Sequence, residues 1–496
     1  MLVVAATGAV AVALTPLVYL AVRTVEAGLD RVVDELATAR TVELAVRSLL
    51  LAVVVSAACA VIGVGLAFLV TRTDLPGRRV LGVVGALPLA IPTYVAGFAW
   101  VATVDGFTGF AAAATVLTLC SYPYVFLPAA AALAGGDPAQ EEVARSLGHG
   151  PWRTFRGVTL RQIRPAVAAG VLLVALYVLS DFGAVSILRY NTFTMDIFTS
   201  INLGFDRTGA LVLSTVLVVL TVGLLVGEGA TRRRASYARL QGGRPPRRLR
   251  LGAARWPALA AYLAVAVLAL GVPAASLLRW LFAGVSRPES GTEIAAAAAA
   301  SLWVSLLGAG LTVALALPVG LLTARARGPL PRLVEGSTYA GHALPGVVLG
   351  LSLVFFGINV AYPIYQTTAM LVFGYAALFL PLAVGAVRAA AVQAPPRLEE
   401  VARSLGRGPL GVLRTVTLPL VAPGVGAAAA LVFLTCMKEL PATLLLRPTG
   451  MNTLATELWT QTSAGAYAAA APYAALLVVL SALPTWLLSR RTGGVT

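Results

Sequence analysis

The amino-acid sequence predicts an all-α, polytopic membrane protein with about twelve transmembrane helices in two parallel six-helix repeats. Three observations support this fold class. The 496 residues are 58% hydrophobic and only 12% charged, apolar stretches recur along the chain, and one thirty-residue sequence occurs twice. Because soluble globular domains carry far more charge than this, a lipid bilayer is the expected environment.

Each apolar stretch is long enough to cross about 30 Å of hydrocarbon as a helix. A helix is expected because it satisfies its backbone hydrogen bonds within one segment. The first span could instead be a cleaved signal peptide, although it lacks the usual basic flank. The predicted spans are 1–22, 45–71, 80–104, 108–134, 164–189, 209–229, 256–282, 295–323, 338–360, 366–390, 420–446 and 466–489. Prolines in these spans are expected to kink the helices and need not break them: Pro88, Pro92, Pro128, Pro345 and Pro381.

Basic residues are unevenly distributed between the two sides of this arrangement. The loops on one side hold 27 of the 37 basic residues and the opposite loops hold seven. Because cytoplasmic loops carry the excess of Arg and Lys, the sequence predicts an inner-membrane protein with both termini in the cytoplasm. The most basic loop, 231–255, has nine Arg and no acidic residue. It is predicted to be a cytoplasmic linker at anionic lipid headgroups, and no nucleic-acid partner is expected.

The repeated sequence reads EEVARSLGHGPWRTFRGVTLRQIRPAVAAG at 141–170 and EEVARSLGRGPLGVLRTVTLPLVAPGVGAA at 399–428, with seventeen identical positions. The predicted domains are therefore a first half at 1–230, the linker at 231–255 and a second half at 256–496.

Similarity extends beyond the repeated loop, since Ser48 aligns with Ser305 and Asp181 with Glu439. Since each half has an even number of spans, the halves are expected to be parallel, with both loops facing the cytoplasm. Two equivalent loops on a pseudo-twofold molecule are expected to bind a symmetric pair of partner subunits.

Within each loop, Glu-X-Ala is followed after three residues by Gly and, after nine further residues, by an aliphatic residue, X and Leu. This pattern resembles the EAA motif of ABC importer permeases, which ends in Pro, and it implies their type I fold. The second loop, 394–421, matches throughout, at Glu400, Ala402, Gly406, Val416, Leu418 and Pro419. The first loop, 137–165, has Arg161 in place of the Pro and matches at Glu142, Ala144, Gly148, Val158 and Leu160.

The resemblance implies that two copies of a cytoplasmic ATP-binding-cassette ATPase dock on the two loops, and that a solute-binding protein delivers the substrate from outside. Glu142 and Glu400 would pair with the ATPase or with their own loop. Ala144 and Ala402 would allow close packing, while Gly148 and Gly406 would end a coupling helix in the left-handed conformation. The alternative is an amphipathic loop with duplicated stabilising contacts.

The sequence predicts a transport subunit rather than an enzyme. It has no Gly-X4-Gly-Lys-Ser/Thr phosphate loop, and its single lysine, Lys438, lies in an apolar setting. ATP and Mg²⁺ are therefore expected on the partner ATPase, and no cofactor on this chain. Three cysteines and two histidines predict neither a disulfide framework nor a metal site. A secondary transporter is the alternative from another class, but it would not need two docking loops.

The segments DFGAVSILRYNTFTMDIF at 181–198 and KELPATLLLRPTGMNTLATELW at 438–459 resemble those that follow the EAA loops of fused ferric-iron permeases. The resemblance implies ferric iron as the substrate, with thiamine, phosphonate and polyamine as alternatives. Asp181, Lys438 and Glu439 are costly in hydrocarbon and are predicted to lie on the substrate pathway. The structural alternative is that they stabilise the ends of their helices, with Lys438 paired to a carboxylate.

Overall fold

The computed structural model describes residues 2–26, 28–136, 138–202, 204, 206–235, 248–282, 291–341 and 344–492. These residues form helices and no β-strand. Nine of the described helices are long and apolar enough to cross a membrane, and two bent pairs bring the candidate spans to eleven. The predicted twelfth span lies in Tyr467–Thr492, where the apolar stretch Tyr467–Ser481 is shorter. The all-α, polytopic fold is confirmed.

The helices form two compact units. Unit I comprises residues 36–199 and 216–284, and unit II comprises residues 1–35, 200–215 and 285–496. The α-helices in unit I are Ala39–Arg72, Arg78–Val84, Thr93–Val101, Gly109–Ser121, Pro123–Ala134, Pro138–Ser146, Pro151–Thr154, Leu160–Ser180, Gly183–Ile187, Arg255–Ala266 and Val272–Phe282. Those in unit II are Leu2–Glu26, Leu29–Leu36, Gly291–Arg325, Pro329–Gly341, Gly346–Asn359, Thr368–Gln393, Pro396–Ser404, Pro409–Val412, Leu418–Met437, Pro441–Leu446, Leu454–Ser463 and Tyr467–Thr492. Leu36, the last residue of Leu29–Leu36, lies in unit I, and two further helices contain residues of both units, Phe193–Asn202 and Arg207–Ala235.

Three long helices form the core of each unit. In unit I, Ala39–Arg72 and Leu160–Ser180 pack on the segment Gly109–Ala134. A methyl group at Gly170 would lie 2.6 Å from the backbone oxygen of Tyr124, so only glycine permits this approach. The corresponding helices of unit II are Gly291–Arg325, Thr368–Gln393 and Leu418–Met437. Small residues at such contacts let membrane helices pack by dispersion where the hydrophobic effect cannot drive association.

The first helix of each predicted half packs with the core helices of the other half. Leu2–Glu26 lies in unit II, where Ala6, Ala9 and Ala13 are fully buried. The helices between Arg255 and Phe282 lie in unit I. Hydropathy identifies a span but contains no information about its packing partner, so this exchange is not predictable from it.

The predicted domain boundaries, 1–230, 231–255 and 256–496, describe the sequence repeat and stay a prediction. Residues 236–247 of the predicted linker lie outside the described residues. Its described end forms a short β-bridge, between Leu249 and Thr73.

Two of the predicted spans are sharply bent. Arg78–Ala90 meets Thr93–Val101 at 90°, and Pro329–Gly341 meets Gly346–Asn359 at 97°. Pro92 and Pro345 each precede the second helix with ψ near 145°, outside the helical region. Pro128 and Pro381, by contrast, lie inside helices. The prolines therefore break two spans, because the backbone at these sites is extended rather than kinked.

Equivalent hydrogen bonds occur in the two units and correct one part of the sequence alignment. The hydroxyl of Ser48 accepts a hydrogen bond from the backbone N–H of Phe193 at 3.2 Å. In unit II, Ser301 accepts the equivalent bond from Leu454 at 2.8 Å. The structural counterpart of Ser48 is therefore Ser301 and not Ser305, because the alignment of the two helices is shifted by one turn.

Candidate functional site

Each repeated loop forms two short helices, one on either side of the motif glycine. The first helix of each loop, here named the coupling helix after its expected role, is Pro138–Ser146 or Pro396–Ser404. Gly148 and Gly406 follow with φ of 82° in both cases, the left-handed region that favours glycine. Behind Gly148 the backbone N–H of His149 reaches the oxygen of Ala144 at 3.1 Å, the pattern of a Schellman helix end. The chain then enters the second short helix, Pro151–Thr154 or Pro409–Val412.

The coupling helices expose apolar side chains in equivalent positions. Val143 and Val401 are 58% and 54% exposed, and Leu147 and Leu405 are 72% and 76% exposed. The predicted residues Glu142 and Glu400 are exposed on the same helices, whereas Ala144 and Ala402 are buried. Exposed apolar groups rimmed by charge on a polar loop are typical of a protein-docking surface.

The glutamate that precedes each motif glutamate was not among the predicted site residues. Glu141 and Glu399 are buried and form ion pairs with Arg72 and Arg325. The sequence did contain a signal for this glutamate, because the Glu-Glu doublet occurs in both repeats, 258 residues apart. A helix turns by about 100° per residue, so only one glutamate of the doublet can face inwards.

Asp181 lies inside the predicted span 164–189, at a point where the structure breaks the helix. The helix Leu160–Ser180 ends there and the short helix Gly183–Ile187 begins. The Asp181 carboxylate accepts backbone hydrogen bonds from Ala184 at 2.9 Å and Val185 at 3.4 Å, and the Thr93 hydroxyl donates to it at 2.5 Å. The carboxylate therefore satisfies free N–H groups at the helix start and ties this start to the bent span.

Glu439 does the same in unit II. Its carboxylate accepts backbone hydrogen bonds from Ala442 and Thr443, both at 2.8 Å, and one from the Thr443 hydroxyl at 2.6 Å. A methyl group at Gly346, at the start of the bent span, would lie 2.9 Å from the Glu439 carboxylate. Unit I has Thr93 at the position of Gly346. Because glycine has no side chain and glutamate is one methylene longer than aspartate, Glu439 fills the space that Thr93 fills in unit I.

These contacts agree with the structural alternative for the buried carboxylates, while a role in the substrate pathway for Asp181, Lys438 and Glu439 stays a prediction. Lys438 is half-buried at the end of Leu418–Met437. Within the described part of the chain, no three His, Cys, Asp or Glu side chains come together as a potential metal site.

The two loops and the repeated helix breaks lie within segments that match a known family. Residues 60–233 and 316–492 match the binding-protein-dependent transport system inner membrane component family. The chain belongs to this family. One matched segment lies within each predicted half, except that the first extends three residues into the linker, as expected for a permease that carries the unit twice.

Relatives of this permease differ in how much of it they cover. It is 38% identical, over 96% of its length, to the Fe(3+)-transport system permease protein FbpB 2 of Haemophilus influenzae, of which it covers 95%. It is 31% identical to the sulfate transport system permease protein CysT of Escherichia coli over 36% of this chain and 72% of that protein. The molybdate/tungstate transport system permease protein WtpB of Thermococcus kodakarensis is 28% identical over 37% of this chain and 75% of its own.

Family membership confirms several predictions. The relatives are permease subunits of ABC transporters, so the chain is a transport subunit and its ATPase is separate. Its apolar helices and its family make it a multi-pass inner-membrane protein. Permeases of this family work with an ATPase and a solute-binding protein in general.

Proposed function

We propose that this permease imports ferric iron, which it receives from a solute-binding protein and releases into the cytoplasm. The substrate assignment is supported by 38% identity along almost the whole chain to a permease named for Fe(3+) transport. The relatives named for sulfate and molybdate or tungstate share only about a third of this chain. Both termini are cytoplasmic in this proposal, because the side that holds the loops also holds most of the arginines.

Two ATPase copies dock on the coupling helices, one on each. The observation that carries this proposal is the duplicated apolar face, formed by Val143 and Leu147 in one loop and by Val401 and Leu405 in the other. Glu142 and Glu400 lie on these helices and pair with the ATPase, while Gly148 and Gly406 fix where the helices end. Burying large apolar side chains at the centre of an interface supplies most of its binding energy. ATP and Mg²⁺ bind to the ATPase.

The substrate pathway runs past the helix breaks that contain Asp181, Lys438 and Glu439. Charged groups near membrane depth commonly mark such paths. The carboxylates hold the short helices in place, and their negative charge favours a cation nearby. Tight coordination is unnecessary because the solute-binding protein selects the ion and the permease must release it.

Substrate identity is tested in proteoliposomes that contain the permease, its ATPase and its solute-binding protein. ATP-dependent uptake of radiolabelled ferric iron is measured in the presence of excess thiamine, a phosphonate, a polyamine, sulfate or molybdate. The expected result is uptake that none of these competitors reduces. Absent iron uptake, with ATP-dependent uptake of one of the competitors, would refute the assignment.

Docking is tested with the double variant Leu147→Glu, Leu405→Glu. Each ATPase copy loses one interface anchor, and a loss of about 2 kcal/mol should weaken its binding by about 30-fold. Leu330→Glu is the matched control, because Leu330 is 48% exposed and lies outside both loops. Equal ATPase copurification with the double variant and the control would contradict the docking proposal.

A further inference from the structure

We propose that Glu141 and Glu399 are positioning residues that fix each coupling helix to the surrounding transmembrane helices, so that movement of the coupling helix is passed to them. This inference rests on the proposed docking of an ATPase on the loops. It concerns the buried glutamate of each doublet, to which the EAA motif assigns no role.

In the first repeat, the Glu141 carboxylate joins three separate segments. Arg72, the last residue of Ala39–Arg72, donates to its two oxygens at 3.0 and 3.5 Å. The hydroxyl of Thr159, at the start of the next long helix, donates to one of these oxygens at 2.8 Å. The side chains of Arg72 and Glu141 are 3% and 9% exposed, so water has little access to this ion pair.

The second repeat builds the same connection. Arg325, the last residue of Gly291–Arg325, donates to Glu399 at 2.9 Å, and the Thr417 hydroxyl donates to the same oxygen at 3.1 Å. Arg403, on the coupling helix itself, reaches the other carboxylate oxygen at 3.3 Å. The end of a long helix, the coupling helix and the start of the next helix therefore meet at one carboxylate in both repeats.

Both threonines occupy the last position of a π-helical turn. These turns are Phe155–Thr159 and Leu413–Thr417. A π-helical turn is rare, adds one residue to a helix and occurs frequently at functional sites. One residue corresponds to about 100° of rotation, so the turn sets the direction in which the hydroxyl points. Its presence in both repeats indicates that the contact with the carboxylate is built into the fold.

A buried ion pair makes this junction stiff. Separating the charges would leave both without compensation where water is scarce, and this is far costlier than losing a surface pair. The hydrogen bonds to charged groups also fix the direction of approach. A displaced coupling helix therefore takes with it the cytoplasmic ends of the long helices rather than sliding past them.

The junction in the first repeat is the more enclosed of the two. The backbone N–H of Leu249, which belongs to the linker, donates to the oxygen of Arg72 at 2.8 Å. In the second repeat, Arg325 donates to the Ala394 oxygen at 3.1 Å, and its side chain is 22% exposed. Loss of the glutamate should therefore have the larger effect in the first repeat.

The test uses the complex of permease, ATPase and solute-binding protein, and measures ATPase binding, ATP hydrolysis and ferric-iron uptake. In the double variant Glu141→Gln, Glu399→Gln, binding and hydrolysis should stay within about twofold of wild type, while iron moved per ATP should fall about tenfold or more. Glu335→Gln is the matched control, since Glu335 pairs with Arg388 between two helices outside the loops. The control should move as much iron per ATP as wild type.

Two further variants keep the test decisive if the double glutamine variant is not recovered. Thr159→Val with Thr417→Val keeps side-chain shape and removes only the hydroxyls, and should lower iron per ATP by about threefold. At the more exposed junction, the exchange Arg325→Glu with Glu399→Arg should restore a ratio that Glu399→Arg alone abolishes.

An unchanged ratio of iron to ATP in these variants would overturn the inference, and so would a proportional fall of uptake and hydrolysis, which indicates a purely structural role. Loss of ATPase binding would also overturn it, because the glutamates would then contact the ATPase. If the wild-type complex moves no iron, the proposed function fails instead, since that result involves no substitution.

Discussion

The left-handed glycines that end the coupling helices allow us to predict that a substitution there destabilises the helix end. Gly148 and Gly406 have φ of 82°, and an added methyl group would meet no atom within 4 Å at either position. Alanine there should therefore cost only backbone strain of about 1–2 kcal/mol, less about 0.4–1 kcal/mol from a more restricted unfolded chain. The net loss is about 1 kcal/mol for the end of each coupling helix. Asparagine, which tolerates this conformation, should cost less than alanine.

Hydrogen exchange of the permease in lipid nanodiscs measures this loss directly. In Gly148→Ala, amides of residues 141–149 should exchange about fivefold faster, since about 1.4 kcal/mol corresponds to tenfold. The matched control is Gly157→Ala, because Gly157 lies in a helical turn, is exposed and also has open space around it. There alanine should stabilise the helix by about 0.5–1 kcal/mol and slow the exchange.

Amide exchange must become faster in Gly148→Ala and slower in Gly157→Ala. Unchanged or slower exchange in Gly148→Ala and Gly406→Ala would refute the assignment of a strained helix end at these positions. The same variants should retain the fold, because the strain is local.

Three further predictions concern packing, the helix breaks and the linker. Gly170→Val should destabilise unit I by about 3 kcal/mol or more, because the valine side chain would meet the Tyr124 backbone. An unchanged midpoint of thermal unfolding in detergent would contradict this close approach. Asp181→Asn should cost about 1.5–3 kcal/mol and reduce iron uptake with the ATPase still bound; normal uptake would contradict the pathway proposal. Leu249→Pro removes the N–H that bonds to Arg72 and should cost about 1 kcal/mol; unchanged proteolysis of the linker would contradict a stabilising bridge.

Local sequence signals predicted the spans and the glycine helix ends in the two repeated loops because the responsible forces are local. An apolar stretch must be helical in lipid whatever surrounds it, so every predicted span overlaps a helix. The left-handed ends at Gly148 and Gly406 follow from residue type and position in the motif. Either glutamate of the doublet, Glu141 or Glu142, could have faced the protein interior, and only the packing against Arg72 shows that Glu141 does.

Features that depend on distant parts of the chain were not predictable in this way. Membrane helices tolerate proline, so Pro92 and Pro345 could not be distinguished from Pro128 and Pro381 by sequence. The first helices pack with the core helices of the opposite half, which hydropathy does not encode. Asp181 and Glu439 stood out as costly charges, but the short helices that they cap became visible only in three dimensions.

In the proposed transporter, two coupling helices on the cytoplasmic side each hold one ATPase. Photo-crosslinkers placed at Val143 and Val401 in right-side-out membrane vesicles test this arrangement, because both side chains are exposed on these helices. Crosslinking of each position to an ATPase with a phosphate loop is the predicted result. Capture of no ATPase at either position, or labelling of these positions by an impermeant reagent from the outer side, would contradict it.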